Sequence, residues 1–219
     1  ILGMVSNSKE IAIFSPANAL EGYFYMFAEA VNGLFLAKIS RYIVEDREDR
    51  IYELMVKVGR YQLFVMGIIF IGYICIGRDF MVLWMGKDYE NAYYCGIFLF
   101  IPDMLGFTQQ IGNMTIVAKN KVKLSAIGSL FSTSVCVVIS FAISRSLGAI
   151  GSSIAIATGY LIAFLNSNRL YYIYLGIPIF RFFRECFGSF IIPYILTIAI
   201  GIFIVKFLPL YGWTGMGIK

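Results

Sequence analysis

Six long apolar stretches divide this 219-residue sequence, and they restrict its possible folds more than any other feature. They cover residues 11–37, 62–77, 92–118, 124–143, 149–165 and 187–208. A helix needs about 20 predominantly apolar residues to cross a bilayer, so most of these stretches are near spanning length. We therefore predict an all-α membrane protein, a polytopic bundle with six transmembrane helices. Residues 1–5 are also apolar and predict the end of a preceding helix, so the sequence reads as an internal piece of a longer protein.

The composition excludes several classes of protein. Hydrophobic residues make up 59% of the chain and charged residues 14%, whereas soluble domains average about 25% charged residues. The chain contains no histidine, which excludes histidine-based metal sites and catalytic triads. No nucleotide-binding glycine motif is present, and the four cysteines are too scattered to predict a metal site. We predict neither an enzyme nor a bound cofactor, and no nucleic-acid partner.

The basic residues predict an orientation. Twelve of them fall on one side of the predicted spans and six on the other, and the side with more is expected in the cytoplasm. The first group is Lys38, Arg41, Arg47, Arg50, Lys57, Arg60, Lys119, Lys121, Lys123, Arg169, Arg181 and Arg184. Residues 38–60 form the longest break between spans, and we predict an amphipathic cytoplasmic loop there. The segment 41–60 is either a helix along the membrane surface or a solvated connector.

The first apolar stretch carries a polar stripe. At 100° per residue, eight residues share a sector of about 120°. They are Ser15, Asn18, Glu21, Gly22, Tyr25, Glu29, Asn32 and Gly33. An ionisable residue inside a span is costly unless it faces a cavity or a partner. Two glutamates exceed what a polar seam between helices needs, so we interpret the stripe as the wall of a water-filled cavity. The alternative is a buried seam that joins helices.

The third apolar stretch repeats this pattern. Asp103, Gly106, Gln110 and Asn113 share one face, and Pro102 predicts a bend immediately before Asp103. Carbonyl groups freed beside a carboxylate would form a cation or proton site. A hydrogen-bonded bend with a protonated aspartate is the alternative. The serine and glycine stripes of the fourth and fifth stretches predict close helix packing.

Five short segments resemble one transporter family. They are ILGMVSNSKEIAIFSPA (1–17), FAEAVNGLFLAKIS (27–40), LWMGKDYENA (83–92), AKNKVKL (118–124) and LGAIGSSIAIAT (147–158). Their order and spacing resemble those of oligosaccharide flippases of the O-antigen and capsule type. That family belongs to the superfamily that also holds multidrug extruders and the lipid II flippase. Ala37 stands where the family usually has proline.

The resemblance implies a function and a wider architecture. Residues 1–219 would be a single transmembrane domain, forming most of the second lobe of a two-lobed flippase, with an additional helix at about 187–208. The protein would move undecaprenyl-diphosphate-linked oligosaccharide across the bacterial cytoplasmic (inner) membrane by alternating access, coupled to H⁺ or Na⁺. Other polysaccharide-assembly proteins are expected partners besides the bilayer and this lipid-linked substrate. The cations expected to bind the diphosphate are not evident within the spans.

These expectations assign residues to the cavity. We predict that its lining comprises Asn18, Glu21, Tyr25, Glu29, Asn32, Asp103, Gln110 and Asn113. Glu21, Glu29 and Asp103 are the candidates for ion coupling. The alternative function is a multidrug or toxin antiporter of the same fold. A membrane-embedded polymerase would need a large outer loop, and a scaffold for glycan assembly would tolerate loss of the carboxyl groups.

Overall fold

The computed structural model describes residues 2–29, 32–45 and 47–207, and these are almost entirely helical. The helices are α1 (Leu2–Val5), α2 (Ser8–Glu29), α3 (Asn32–Val44), α4 (Glu48–Met85), α5 (Asn91–Phe107), α6 (Gln110–Ala118), α7 (Val122–Leu175) and α8 (Ile179–Phe207). A short 3₁₀ turn, Lys87–Tyr89, joins α4 to α5. No strand occurs within the described ranges, so the prediction of an all-α protein is confirmed there.

Within the described residues, three helices are long and apolar enough to cross a membrane: Asp49–Met85, Val122–Leu175 and Ile179–Val205. Many of their large apolar side chains point outward, including Leu130, Phe131 and Ile192, each more than 60% exposed. Such a surface suits contact with lipid. The chain therefore has the build of a helical membrane protein. The count of six spans plus a partial one stays a prediction, as does the division into lobes.

The 54-residue α7 folds back on itself at Gly148. Gly148 has φ 54° and ψ −128°, a backbone conformation that side-chain-bearing residues rarely adopt. The two arms, 122–147 and 149–175, run antiparallel. Gly128 faces Asn166, Gly159 faces Cys136, and the Oγ atoms of Ser144 and Ser152 lie 2.8 Å apart. The predicted spans 124–143 and 149–165 are the two arms of this hairpin, and the small-residue stripes lie between them.

Three predicted boundaries differ from the structure. The bend expected at Pro102 lies six residues later, since α5 continues to Phe107 and α6 begins at Gln110. The chain changes direction at residues 106–109, where the backbone N–H of Gln109 donates to the carbonyl oxygen of Gly106 at 3.1 Å. Residues 38–60 are mostly helical, because α3 continues to Val44 and α4 already begins at Glu48. The additional C-terminal helix, predicted at 187–208, begins at Ile179, and residue 208 lies outside the described part.

The helices α4 and α8 run side by side in the same direction. The hydroxyl of Tyr194 donates to the carbonyl of Leu63 at 2.7 Å, and the ring of Tyr194 lies over Gly67. Nearer the start of both helices, Arg60 donates from Nε and Nη2 to the carbonyl oxygen of Glu185, at 3.0 and 2.9 Å. These contacts attach α8 to the bundle along its first half.

The bundle has two distinct ends. At the basic end α3 meets α4, α6 meets α7, and α7 meets α8. Lys119 Nζ there donates to the carbonyl of Tyr174 at 3.4 Å. At the turn end lie Gly148 and the turn after α4. Each end has its own cluster of buried apolar side chains, one around Met55 and Phe182, the other around Phe24 and Leu99. The polar site described next lies between them.

Candidate functional site

A polar cavity of about 340 Å³ opens between α2, α5, α6 and the second arm of α7. Tyr25, Asn113 and Tyr160 on its wall are exposed, so the cavity opens at the surface of the bundle. Its wall includes five of the predicted residues: Glu21, Tyr25, Asp103, Gln110 and Asn113. The polar stripes of the first and third apolar stretches therefore face one shared space.

The chemical centre of the cavity is a pair of carboxyl groups. Glu21 on α2 and Asp103 on α5 both line the cavity, and their side chains are close enough to interact. Asp103 is only 6% exposed, whereas Glu21 is partly open to the cavity. A hydrogen bond between two carboxyl groups requires a proton on one of them, since an ionised carboxylate only accepts. The pair therefore has a natural place for a proton or another cation.

Tyr160 adds a third group to this pair. It lies on the second arm of α7, and its hydroxyl donates to Glu21 Oε1 at 3.3 Å. The three polar groups thus come from three helices that are distant in sequence: Glu21 from α2, Asp103 from α5 and Tyr160 from α7. Asp103 Oδ2 is buried and accepts no hydrogen bond from N–H or O–H groups of the described residues. A proton shared with Glu21 would satisfy such a carboxyl oxygen.

Amide side chains form the part of the wall where α5 gives way to α6. Gln109 Nε2 donates to Asn168 Oδ1 at 2.7 Å, which ties the junction to the second arm of α7. Gln109 Oε1 is buried without a hydrogen-bond donor among the described residues. Gln110 and Asn113 continue the wall on α6. Amide side chains of this kind can both donate and accept hydrogen bonds.

The remaining predicted residues lie away from this cavity. Glu29 is one turn beyond its lining and accepts a hydrogen bond from the Tyr25 hydroxyl at 2.9 Å. Asn18 is exposed on α2 and lies outside the lining. Asn32 begins α3, and its side chain lies outside the described part of the chain. The polar stripe extends beyond the part of α2 that packs against α5 and α7, so only the central residues of the stripe face the cavity.

Sequence reasoning missed the contribution of α7. Tyr160, Phe164, Ser167 and Tyr171 line the cavity from the second arm, and Ser125 and Ser129 line it from the first. Both serines belong to the serine stripe of the fourth apolar stretch, which predicts close helix packing. The sequence contains one sign of this contribution, since Tyr160 places a hydroxyl group in the middle of an apolar stretch, next to Gly159.

Comparison of the chain with protein-family models, curated proteins and solved structures finds no match.

Proposed function

We propose that this chain is part of a transporter that moves an undecaprenyl-diphosphate-linked oligosaccharide across the bacterial cytoplasmic membrane. The observation that carries the proposal is a polar cavity, with two neighbouring carboxyl groups, in a helical bundle that exposes many large apolar side chains. Ionisable groups at such positions mark substrate or ion pathways in membrane proteins. The order of the five sequence motifs supports the choice of a lipid-linked glycan as substrate.

The lining suits sugar recognition. Gln110 and Asn113 offer amides, and Tyr25, Tyr160 and Tyr171 add hydroxyl groups and aromatic rings. Amides and hydroxyls bind sugar hydroxyls in either direction, while aromatic rings offer flat apolar surface to a sugar face. The diphosphate is not assigned to this cavity, because the lining contains no lysine or arginine.

Coupling to H⁺ or Na⁺ would act through Glu21 and Asp103. Two ionised carboxylates in contact repel each other, and a bound cation removes that repulsion. Because the two groups belong to α2 and α5, occupancy by an ion would favour the arrangement in which these helices lie together. Loss of the ion would favour their separation, as alternation between inward-open and outward-open states requires.

The test uses cells in which the full-length gene is replaced by Glu21→Gln or Asp103→Asn. The measurement is the fraction of the undecaprenyl-linked repeat that an outer-leaflet label reaches, together with the expression level of each variant. We expect transport to fall about 5–150-fold, the range of a typical coupling free energy, at normal expression. Asp88→Asn, an exposed carboxylate in the turn after α4, is the matched control. Unchanged transport in both cavity variants would contradict coupling through this pair.

A multidrug antiporter is the second candidate function. The carboxyl pair lies beside the rings of Tyr25, Phe107 and Phe164, a combination that also attracts organic cations. Drug susceptibility of a deletion strain separates the two functions. Hypersensitivity to cationic drugs with normal delivery of the glycan lipid would favour the antiporter.

A further inference from the structure

A second crevice, of about 830 Å³, lies between α4 and α8 at the basic end. Its charged part includes Lys57, Arg60 and Arg181, and its apolar part includes Tyr61, Phe64 and Phe190. It is separate from the candidate site, with which it shares no lining residue. Its lining changes from charged to aromatic along the helices.

Most of the charges around the crevice compensate one another. Arg181 Nε lies 2.6 Å from Glu185 Oε1, and the Tyr52 hydroxyl donates to Glu185 Oε2 at 3.1 Å. Glu53 is similarly engaged by Arg50 at 2.8 Å. The carboxylates of Glu185 and Glu53 therefore already have cationic partners of their own.

Two cations are not bound directly in these ion pairs. Neither Lys57 nor Arg60 forms an ion pair with the described residues. Arg60 donates to the carbonyl oxygen of Glu185, and its charge also acts on the Glu185 carboxylate, which Arg181 already binds. Lys57 and Arg60 are three residues apart on α4, so their side chains lie on the same face of the helix. With Arg50, which pairs with Asp49 and Glu53, four cations surround the three carboxylates of the crevice, which leaves one positive charge in excess.

The apolar part begins one to two turns further along α4. Seven residues separate Lys57 from Phe64, a rise of about 10 Å. Tyr61 and Phe64 are 65% and 51% exposed, and the ring of Phe64 lies 6.3 Å from that of Phe190. The apolar stretch of α4 starts at this level, so the crevice crosses the boundary between headgroups and hydrocarbon.

We propose that this crevice binds an anionic phospholipid from the membrane leaflet at the basic end. The phosphate lies between Lys57 and Arg60, and an acyl chain lies over Phe64 and Phe190. The excess positive charge near Lys57 and Arg60 favours a headgroup with net negative charge. A zwitterionic headgroup would bring its own ammonium group toward them. The lipid would thereby bridge α4 and α8, which meet at the Arg60–Glu185 contact.

The experiment measures lipid binding to the purified full-length protein in detergent by native mass spectrometry. The probes are phosphatidylglycerol and phosphatidylethanolamine with identical acyl chains. We expect the unaltered protein to bind phosphatidylglycerol more tightly than phosphatidylethanolamine. We expect Lys57→Gln to bind phosphatidylglycerol about fivefold more weakly, because one basic side chain near an anionic surface contributes about that factor to affinity. Lys123→Gln, an exposed basic residue in the first turn of α7, is the matched control and should bind as the unaltered protein does.

Lys57→Gln is the primary variant because Lys57 is exposed and forms no ion pair with the described residues, so its loss leaves the fold intact. Arg60→Gln serves as a second variant, with its thermal unfolding midpoint measured without lipid. Equal binding of both lipids, or unchanged binding by Lys57→Gln, would overturn the proposal. If the soluble headgroup glycerophosphoglycerol competes as strongly as the whole lipid, the crevice binds only the phosphate and the lipid proposal is wrong. Stronger binding of a polyprenyl diphosphate would make it a substrate site instead.

Discussion

The contact between Glu21 and Asp103 depends on a few individual side chains. Each carboxyl group sits in an apolar sequence context, where an isolated charge would be costly. Asp103 is buried against Glu21, and Glu21 has the Tyr160 hydroxyl as a further donor. This arrangement leaves one proton or cation to be shared between the two carboxyl groups. The affinity of that site therefore depends on the donors around it.

The hydroxyl of Tyr160 offers a test at this scale. Tyr160→Phe keeps the ring and removes the donor to Glu21 Oε1. We expect a change of about 1 kcal/mol in the free energy of unfolding, the usual net contribution of one hydrogen bond. We also expect the ion dependence of transport to shift, because the ionised form of Glu21 loses a donor. The measurement is the initial transport rate against the concentration of the coupling ion.

Tyr172→Phe is the matched control, since Tyr172 is 67% exposed and lies outside the cavity. If both variants keep the ion dependence of the unaltered protein, Tyr160 has no part in the ion site.

At the scale of elements, the hairpin of α7 determines the shape of the cavity. Its second arm supplies Tyr160 and Tyr171, so the position of that arm places both side chains. The arm begins immediately after Gly148, where the backbone amide of Ala149 donates to Glu10 Oε2 at 2.7 Å. A carboxylate at a helix N-terminus satisfies a free amide and interacts favourably with the helix dipole. Glu10 thus links the start of α2 to the turn in α7.

Gly148→Ala tests the turn. The new Cβ would meet the carboxylate of Glu10, and alanine rarely adopts the φ of 54° found there. We expect a loss of about 1–3 kcal/mol in the free energy of unfolding, read as a lower thermal midpoint of the purified protein.

Gly72→Ala is the control for this substitution. Gly72 lies inside α4 with open space around its Cβ position, so alanine there should stabilise the helix by about 0.5–1 kcal/mol. Equal midpoints for the two variants would show that the turn does not need glycine.

In the whole molecule, the connections between helices that carry most of the basic residues lie at one end of the bundle. The ends of α3, α6 and the second arm of α7 meet the beginnings of α4 and α8 there, while Gly148 and the turn at Lys87–Tyr89 lie at the other end. Because basic residues are retained on the cytoplasmic side, the basic end is expected inside the cell. The cavity would then lie between the two membrane surfaces.

Cysteine labelling in intact cells tests this orientation. Lys87→Cys, in the exposed turn after α4, should react with a membrane-impermeant maleimide. Lys123→Cys should react only after the cells are opened. The native Cys95 and Cys186 are fully buried, and Cys75 and Cys136 lie within α4 and α7, so background labelling should be low. The reverse pattern of labelling would contradict the orientation.

Much of the architecture can be predicted from hydropathy, because the apolar stretches and the polar stripes are local patterns. The separation of the spans around Gly148 was predicted, and so were Glu21, Asp103 and Gln110 as cavity residues, which the structure brings together. The bend was expected at Pro102 because proline removes one helical hydrogen bond. A single missing bond did not end α5, which continues to Phe107.

Local sequence patterns specify most of the helices, the end of the bundle that carries the basic residues, and the polar faces of the first and third apolar stretches. Those properties follow from the period of a helix and from the transfer of side chains out of water, which act over a few residues. Three other features depend on how the helices pack together: Tyr160 contacts Glu21, Glu29 lies outside the cavity lining, and Lys57 and Arg60 form no ion pair with the described residues. Glu21 and Tyr160 are 139 residues apart. Their contact depends on how α2 and the α7 hairpin pack together, and no local pattern in the sequence specifies that packing.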